Sequence, residues 1–166
     1  MIGIVIAYLS AAEGRVAVVP VGVSVAPQIP FLNDDLEQVL HAAAQAKPYA
    51  CFVREDTKIS FMAMPDAIKS LLMLLDVPRS KLNHNVYNIA AFAITAGEFR
   101  DRAVKAFPGA DITFAPNPRR QGIVDSWPED VDDTLARSEW NWRLDYNADA
   151  FFDDYFLPEI RKRYGK

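Results

Sequence analysis

The sequence contains a single cysteine, Cys51, which excludes an internal disulfide. This cysteine usage is typical of reducing compartments, so we expect a cytoplasmic protein. Only two histidines, His41 and His84, accompany it, and neither has the spacing of a metal ligand set. No zinc site and no other metal cofactor is therefore expected.

Glycine is scarce and scattered. The seven glycines form neither the phosphate-binding loop of nucleotide triphosphatases nor the dinucleotide-binding fingerprint, and no G-x-S-x-G turn is present. None of the six tyrosines is followed four residues later by a lysine, which removes the tyrosine-lysine pair that some dehydrogenases use. The sequence therefore predicts no catalytic residue for this chain.

An excess of positive charge is missing too. With 18 basic and 22 acidic residues the net charge is −4, so nothing electrostatic favours nucleic acid as a partner. The one basic cluster, "RKRYGK" at 161–166, is typical of the last turn of a helix, where cations oppose the helix dipole.

The apolar opening segment, residues 1–27, lacks a basic start and is interrupted by Glu13 and Arg15, so we expect neither a signal peptide nor a membrane span. It is interpreted as two strands, about Ile2 to Leu9 and Arg15 to Val23.

Enough apolar material is present for one globular domain, residues 1–166. The chain has 166 residues, of which 51% are hydrophobic, and a mean hydropathy of −0.03. Helices and strands are predicted to alternate, which favours an α/β fold without fixing the strand order.

Capping residues and prolines predict where the individual helices begin. An Asn33/Asp34 cap opens the first helix, Pro65 opens the second, and Thr95 with Glu98 forms a capping box for the third. Further expected elements are the strands "YACFV" (apolar throughout and so buried), "ISFMAM", "NVYNIAAFAI" and "ADITF", a proline-rich loop "APNPRRQGIVDSWPED", a short helix "VDDTLARSEW", and a terminal helix capped by Asn147 and kinked or split at Pro158.

Few residues suggest chemistry. Five acids close in sequence could form a metal or general-acid cluster, but helix-entry acids on a solvated surface are the favoured interpretation: Asp125, Glu129, Asp130, Asp132 and Asp133. Cys51 is predicted to be an inert core residue and His84 an exposed one. The methionines of the strand-helix unit, Met62, Met64 and Met73, are expected in the core.

From about His41 onward the sequence resembles the C-terminal half of short-chain-dehydrogenase-type L-threonine 3-dehydrogenases, members of the NAD-dependent epimerase/dehydratase superfamily. The motifs that carry the resemblance are "FMAMPDAIKSLL", "VYNIAAFAITAGEF" and "RQGIVDSWPEDVDDTLARSEWNW". The resemblance implies a partial extended short-chain-dehydrogenase fold, with residues 33–166 as the C-terminal lobe and residues 1–32 as a divergent apolar strand segment.

The resemblance also implies a candidate substrate site. The tryptophan of the Ser-Trp-Pro element lines the amino-acid pocket in that family, which corresponds to Trp127 here. The interpretation of Trp127 as an ordinary packing residue stays open. Ser126 and Arg120 are expected to offer polar contacts, the latter because a guanidinium presents two parallel donors to a carboxylate. In the segment that precedes the first helix, Asp34 is the residue whose position matches the pattern of that family.

The glycine-rich NAD loop, the catalytic tyrosine-lysine pair and the hydroxyl-polarising residue of that family have no counterpart in the sequence. NAD is therefore not expected to bind this chain alone. Two functions stay open: the substrate-side lobe of a truncated or split threonine dehydrogenase acting on an L-threonine-like amino acid, or a non-catalytic small-ligand or protein-interaction module. Loss of the dinucleotide domain predicts exposed apolar surface, and hence a homo-oligomer or a separate cofactor-binding chain as partner.

Overall fold

The computed structural model describes residues 5–10, 15–20 and 35–165, and it has the alternating α/β organisation that the sequence predicts. The strands are β1 (Val5–Ser10), β2 (Arg15–Pro20), β3 (Tyr49–Cys51), β4 (Lys58–Phe61), β5 (Val86–Asn88), β6 (Phe92–Thr95) and β7 (Ile112–Phe114). The helices are α1 (Asp35–Ala44), α2 (Met64–Asp76), α3 (Ala96–Ala106), α4 (Pro118–Val124), α5 (Thr134–Trp140), α6 (Ala148–Ala150) and α7 (Leu157–Tyr164). The predicted cap at Asn33/Asp34 lies outside the described residues.

The strands form three small sheets. β1 pairs antiparallel with both β2 and β5, β3 pairs parallel with β7, and β4 pairs antiparallel with β6. Because β1 joins β5, the divergent opening segment adds two strands to the body of the domain.

Two strand predictions need correction. "NVYNIAAFAI" was expected to be one strand, but it is divided into β5 and β6, which belong to different sheets. Ile89, in the break at residues 89–91, is buried. The strand "YACFV" was expected to be buried throughout, yet Ala50 is exposed, since β3 turns alternate side chains to opposite faces.

Helix α3 begins as its sequence predicts. The Thr95 hydroxyl accepts a hydrogen bond from the Glu98 backbone N–H at 3.1 Å, and the Glu98 carboxylate accepts one from the Thr95 N–H at 2.7 Å. The two bonds satisfy donors that a helix start leaves open.

The proline-rich stretch predicted to be a loop instead contains helix α4. Asn117 is its N-cap, with the side-chain oxygen accepting from the Arg120 N–H at 3.1 Å, and Pro118 occupies the first turn. Proline is well tolerated there because its missing N–H would have no helical partner. The prolines therefore start this helix, and the loop prediction for residues 118–124 is wrong.

The terminal helix is divided near Pro158, as expected, by a π-helical segment. Asn147 caps α6 by accepting from the Ala150 N–H at 3.0 Å, and residues Phe151–Phe156 form wider i→i+5 turns before α7. Pro158 has no N–H for a regular i→i−4 bond, and the wider turns accommodate its ring.

The buried side chains in the described part of the chain form two core clusters. The first core cluster lies among α1, α3, the sheets β3–β7 and β4–β6, and the terminal helix, and it contains Cys51. The second lies among α2, α5 and β5, and it contains Met62, Tyr87, Trp140 and Trp142, with Met64 and Met73 packed against it. Cys51 is fully buried, which confirms its prediction as a core residue. The longest helix in the described ranges, α2, has 13 residues, and no described helix is long and apolar enough to cross a membrane.

Candidate functional site

Trp127 lies in a tight turn at the end of α4. The backbone N–H of Ser126 donates to the Ile123 carbonyl at 3.1 Å, and that of Trp127 donates to the Val124 carbonyl at 2.9 Å. Pro128 follows and biases the Trp127 backbone toward an extended conformation. The indole is half-buried and packs against the first core cluster. This turn holds an amphipathic side chain at the boundary between core and solvent.

Ser126 is exposed, and its hydroxyl donates to the Ile123 carbonyl at 2.6 Å. The hydroxyl hydrogen is therefore used inside the turn, and the oxygen keeps its ability to accept. Ser126 stabilises the turn that carries Trp127.

Arg120 is exposed and stacks on the aromatic ring of Phe52, with 3.5 Å between the guanidinium carbon and the ring centroid. The residue before α4 is also bonded to the residue after β3, because the Asn117 N–H donates to the Phe52 carbonyl at 2.7 Å. A stacked guanidinium directs its N–H donors outward in its own plane, where an anion such as a carboxylate can meet two of them.

The β3–β4 turn, residues 52–57, contributes a second arginine. The two terminal nitrogens of Arg54 donate to the two carboxylate oxygens of Asp125 at 3.1 and 2.9 Å. This hydrogen bonding lowers the pKa of Asp125 and raises the pKa of Arg54. Asp56 adds a further contact at 3.3 Å to the Arg54 side chain. Arg54 is thus neutralised by its neighbours, and Arg120 is the arginine of this site that stacks on a ring instead.

Two polar side chains are buried below the ion pair. Gln121 and Thr57 are 5% and 6% exposed, and the Gln121 amide nitrogen donates to the Thr57 hydroxyl at 3.1 Å. Neither residue was singled out by sequence. The signal for Gln121 is its place on α4 next to Arg120 and four residues before Asp125. Its partners Arg54 and Thr57, however, lie 67 and 64 residues earlier, and nothing in the sequence pairs them with Gln121.

The acids that follow Trp127 do not converge. Asp132 accepts from the N–H and hydroxyl of Thr134, and Asp130 accepts from the Val131 N–H. Asp125, which precedes Trp127, pairs with Arg54. Among the described residues no group of three His, Cys, Asp or Glu side chains could hold a metal ion. One acid departs from the predicted solvated surface: Asp133 is buried and pairs at 2.6 Å with Arg137, which lies one turn further along α5.

Three of the four predicted site residues therefore lie on α4 and its exit turn: Arg120, Ser126 and Trp127. Asp34 lies outside the described residues. The structure adds the β3–β4 turn to this site, through the ring of Phe52 and the ion pair of Arg54.

The geometry can be set beside known proteins. The chain is 32% identical over 128 residues to the mitochondrial L-threonine 3-dehydrogenase of Bos taurus, which covers 77% of this chain and 32% of that protein. It is 32% identical over 119 residues to an uncharacterised epimerase/dehydratase of Staphylococcus saprophyticus, covering 71% of this chain and 37% of that one. No family model matches the chain.

Solved structures show the same likeness. The L-threonine dehydrogenase of Clostridium difficile superposes with a TM-score of 0.74 at 32% identity, over 82% of this chain and 44% of that one. The apo form of the GalE-like L-threonine dehydrogenase of Cupriavidus necator superposes with a TM-score of 0.72 at 30% identity, over 83% and 48%. The chain spans less than half of either structure, and its α/β fold corresponds to a partial C-terminal lobe of a short-chain-dehydrogenase-type fold.

Proposed function

We propose that the chain, whose relatives are L-threonine 3-dehydrogenases and epimerase/dehydratases that it matches only in part, is the substrate-side lobe of an NAD-dependent enzyme of this kind. In this proposal the chain is a truncated or split form that binds an L-threonine-like amino acid and performs no hydride transfer alone. The whole enzyme's chemistry then depends on a cofactor-binding lobe with its own catalytic residues.

The placement of Trp127 is the observation that carries this proposal. Its indole is half-buried at the end of α4, within a turn closed by two backbone hydrogen bonds and by the Ser126 hydroxyl. Such a side chain can form one apolar wall of a small pocket while its N–H stays available. Arg120, stacked on Phe52, supplies the charge that an amino-acid carboxylate requires.

The residues of this chain do not fit NAD. A pyrophosphate is bound by a glycine-rich loop at an open helix N-terminus. The first turn of α2 contains Pro65 and the buried carboxylate of Asp66, which accepts two backbone N–H groups from residues 145 and 146. The Thr95–Glu98 box closes α3. The start of α3 is thus occupied by the chain's own side chains. Helix α2 has no side-chain cap, but no glycine precedes it between residues 23 and 63, so neither start has the glycine-rich loop that a pyrophosphate requires.

The division of the chain is part of the proposal. In it, residues 33–166 form the epimerase/threonine-dehydrogenase-like C-terminal lobe, and residues 1–32 are a divergent segment whose strands β1 and β2 extend the sheet of β5 within one domain. A separate cofactor-binding chain or further copies of this chain are the proposed partners, and the cytoplasm is the proposed location.

A non-catalytic interaction module is the second candidate, and one observation favours it. Ile68, Leu72 and Leu75 are 50–59% exposed on one face of α2. An apolar stripe of this kind on a soluble helix is typical of a surface that another protein covers.

Titration of the ¹⁵N-labelled chain with L-threonine tests the first function. Of the three indole N–H resonances, that of Trp127, assigned by Trp127→Phe, should shift, while those of Trp140 and Trp142 stay in place because both are buried away from the site. D-threonine is the matched control, and it should give a weaker shift. If no indole resonance shifts at millimolar L-threonine, the interaction module is the better-supported of the two functions.

A further inference from the structure

Gln121 is a buried carboxamide in the middle of the candidate site. Its oxygen accepts from the Arg54 backbone N–H at 2.7 Å, and its nitrogen donates to an Asp125 carboxylate oxygen at 2.6 Å. The Thr57 hydroxyl lies beside it, 3.1 Å from the nitrogen. One side chain therefore joins the β3–β4 turn to the end of α4.

The hydrogen-bond partners of Gln121 identify the oxygen and the nitrogen of its carboxamide. A backbone N–H can only donate, so the Arg54 N–H requires an oxygen, and an ionised carboxylate can only accept, so Asp125 requires an N–H. Glutamine is the side chain of this length that offers both without a charge. Glutamate would set a second carboxylate against Asp125, and asparagine is one methylene shorter.

Asp125 connects this amide to Trp127. It is held by Gln121 from below and by both terminal nitrogens of Arg54 from the solvent side. Its backbone N–H also donates to the Gln121 carbonyl at 2.8 Å, and the turn through Ser126 to Trp127 begins at the next residue. Displacement of Asp125 must therefore change the direction in which the chain leaves α4.

We propose that Gln121 is a positioning residue for the substrate site, because its neutral carboxamide holds Asp125 and thereby sets the orientation of the Trp127 indole. The inference rests on the proposed function for its link to substrate, whereas the control of the Trp127 orientation is independent of it. Gln121 touches no reacting atom and acts only through Asp125 and the turn.

The variant Gln121→Glu tests this, with ¹⁹F spectra of the chain labelled with 5-fluorotryptophan. At neutral pH the new carboxylate faces Asp125, so the Trp127 resonance should move away from its wild-type position, and those of Trp140 and Trp142 should not. Repulsion by Asp125 raises the pKa of the new glutamate. As the pH falls from about 7 to about 4.5, the protonated side chain again has one donor and one acceptor, and the Trp127 resonance should return.

The charged groups on the two elements are Arg119 and Arg120 on α4, Asp125 at its exit, and Arg54, Glu55 and Asp56 on the β3–β4 turn. Gln45→Glu is the matched control, since Gln45 is exposed and bonds to His41 and Tyr164. In Gln45→Glu the Trp127 resonance should have the wild-type position at every pH.

Should Gln121→Glu not fold at neutral pH, the double variant Gln121→Glu/Asp125→Asn is measured in its place. The polarity of the contact is reversed there, because the new asparagine donates to the glutamate, and the Trp127 resonance should lie near the wild-type position. Two results would overturn the inference. One is a Trp127 resonance in Gln121→Glu that keeps its wild-type position at neutral pH. The other is a Trp127 resonance that stays displaced at low pH in Gln121→Glu and is displaced in the double variant as well.

L-threonine titration of the same samples separates the two proposals. Wild type and Gln45→Glu should bind alike, and Gln121→Glu should bind at least about tenfold more weakly at neutral pH, with recovery at low pH. Absence of threonine binding in the wild type contradicts the proposed function alone. Equal binding by a variant whose Trp127 resonance has moved contradicts the positioning role.

Discussion

Glu139 on α5 accepts a hydrogen bond from the buried hydroxyl of Tyr87 on β5. The same carboxylate accepts from the Asn83 N–H at 2.9 Å and contacts the His84 ring nitrogen at 2.7 Å. These hydrogen bonds, that of Tyr87 first, lower the pKa of Glu139 from 4.5 to about 2. His84, about half exposed as expected, thus has a structural partner.

The depressed pKa predicts a specific pH dependence of stability. The folded carboxylate stays ionised below the pKa of the unfolded state, so its contribution is complete above about pH 4.5 and is lost as the pH falls toward about 2. Glu139→Gln should lower the free energy of unfolding at neutral pH. The difference from wild type should shrink between pH 4.5 and 2 in urea melts. The exposed Glu129→Gln is the control, and a wild-type advantage that is constant with pH would contradict the assignment.

The three tryptophans should differ in their effect on stability. Trp142 is fully buried and Trp140 nearly so, whereas Trp127 is half-buried. Trp142→Ala should therefore lower the free energy of unfolding by about 3–5 kcal/mol, and Trp140→Ala should lower it as well. Trp127→Ala should cost about 1 kcal/mol and leave the chain folded. Denaturant melts measure this, with Trp127→Phe as control, and an equal loss at Trp127 would return it to a packing role.

NAD should not bind the purified chain. The sequence has no glycine-rich loop, and the start of α3 is closed by the capping box of Thr95 and Glu98. Calorimetric titration with NAD should give only the heat of dilution. Micromolar binding by the chain alone would be incompatible with a lobe that depends on a separate cofactor domain.

The apolar stripe on α2 predicts self-association. Ile68, Leu72 and Leu75 follow helical spacing on one exposed face, and association would remove them from water. Light scattering at rising concentration should give a mass above the 18.6 kDa of one chain. Leu72→Lys should lower that mass, and Val104→Lys on α3 should not. A wild type that stays monomeric at high concentration removes this expectation.

The sequence predicted those features that depend on neighbouring residues. The capping box of Thr95 and Glu98 and the cap at Asn147 are confirmed because each involves residues three apart. Helix α4 was missed because prolines were interpreted as loop signals, although Pro118 occupies a first helical turn, where proline is tolerated. The burial of Asp133 depends on packing of α5 rather than on local pattern.

The candidate site was predictable only in part for the same reason. Trp127, Ser126 and Arg120 are close in sequence, so one motif indicates all three. Their supporting contacts come from the β3–β4 turn, 64 to 71 residues earlier, and only the fold brings Arg54 and Thr57 to α4. No local spacing encodes such a contact.

The π-helical segment has a consequence for how this chain is aligned with others. Its wider turns hold about one residue more than an α-helix of the same height, so the two sides of the terminal helix are out of phase. Phe151 and Phe152 at its start, and Leu157 and Ile160 after it, nevertheless all belong to the first core cluster. Against a relative whose helix is regular throughout, a gapless alignment would match these inward positions to outward ones, and a one-residue gap within 151–156 restores the match.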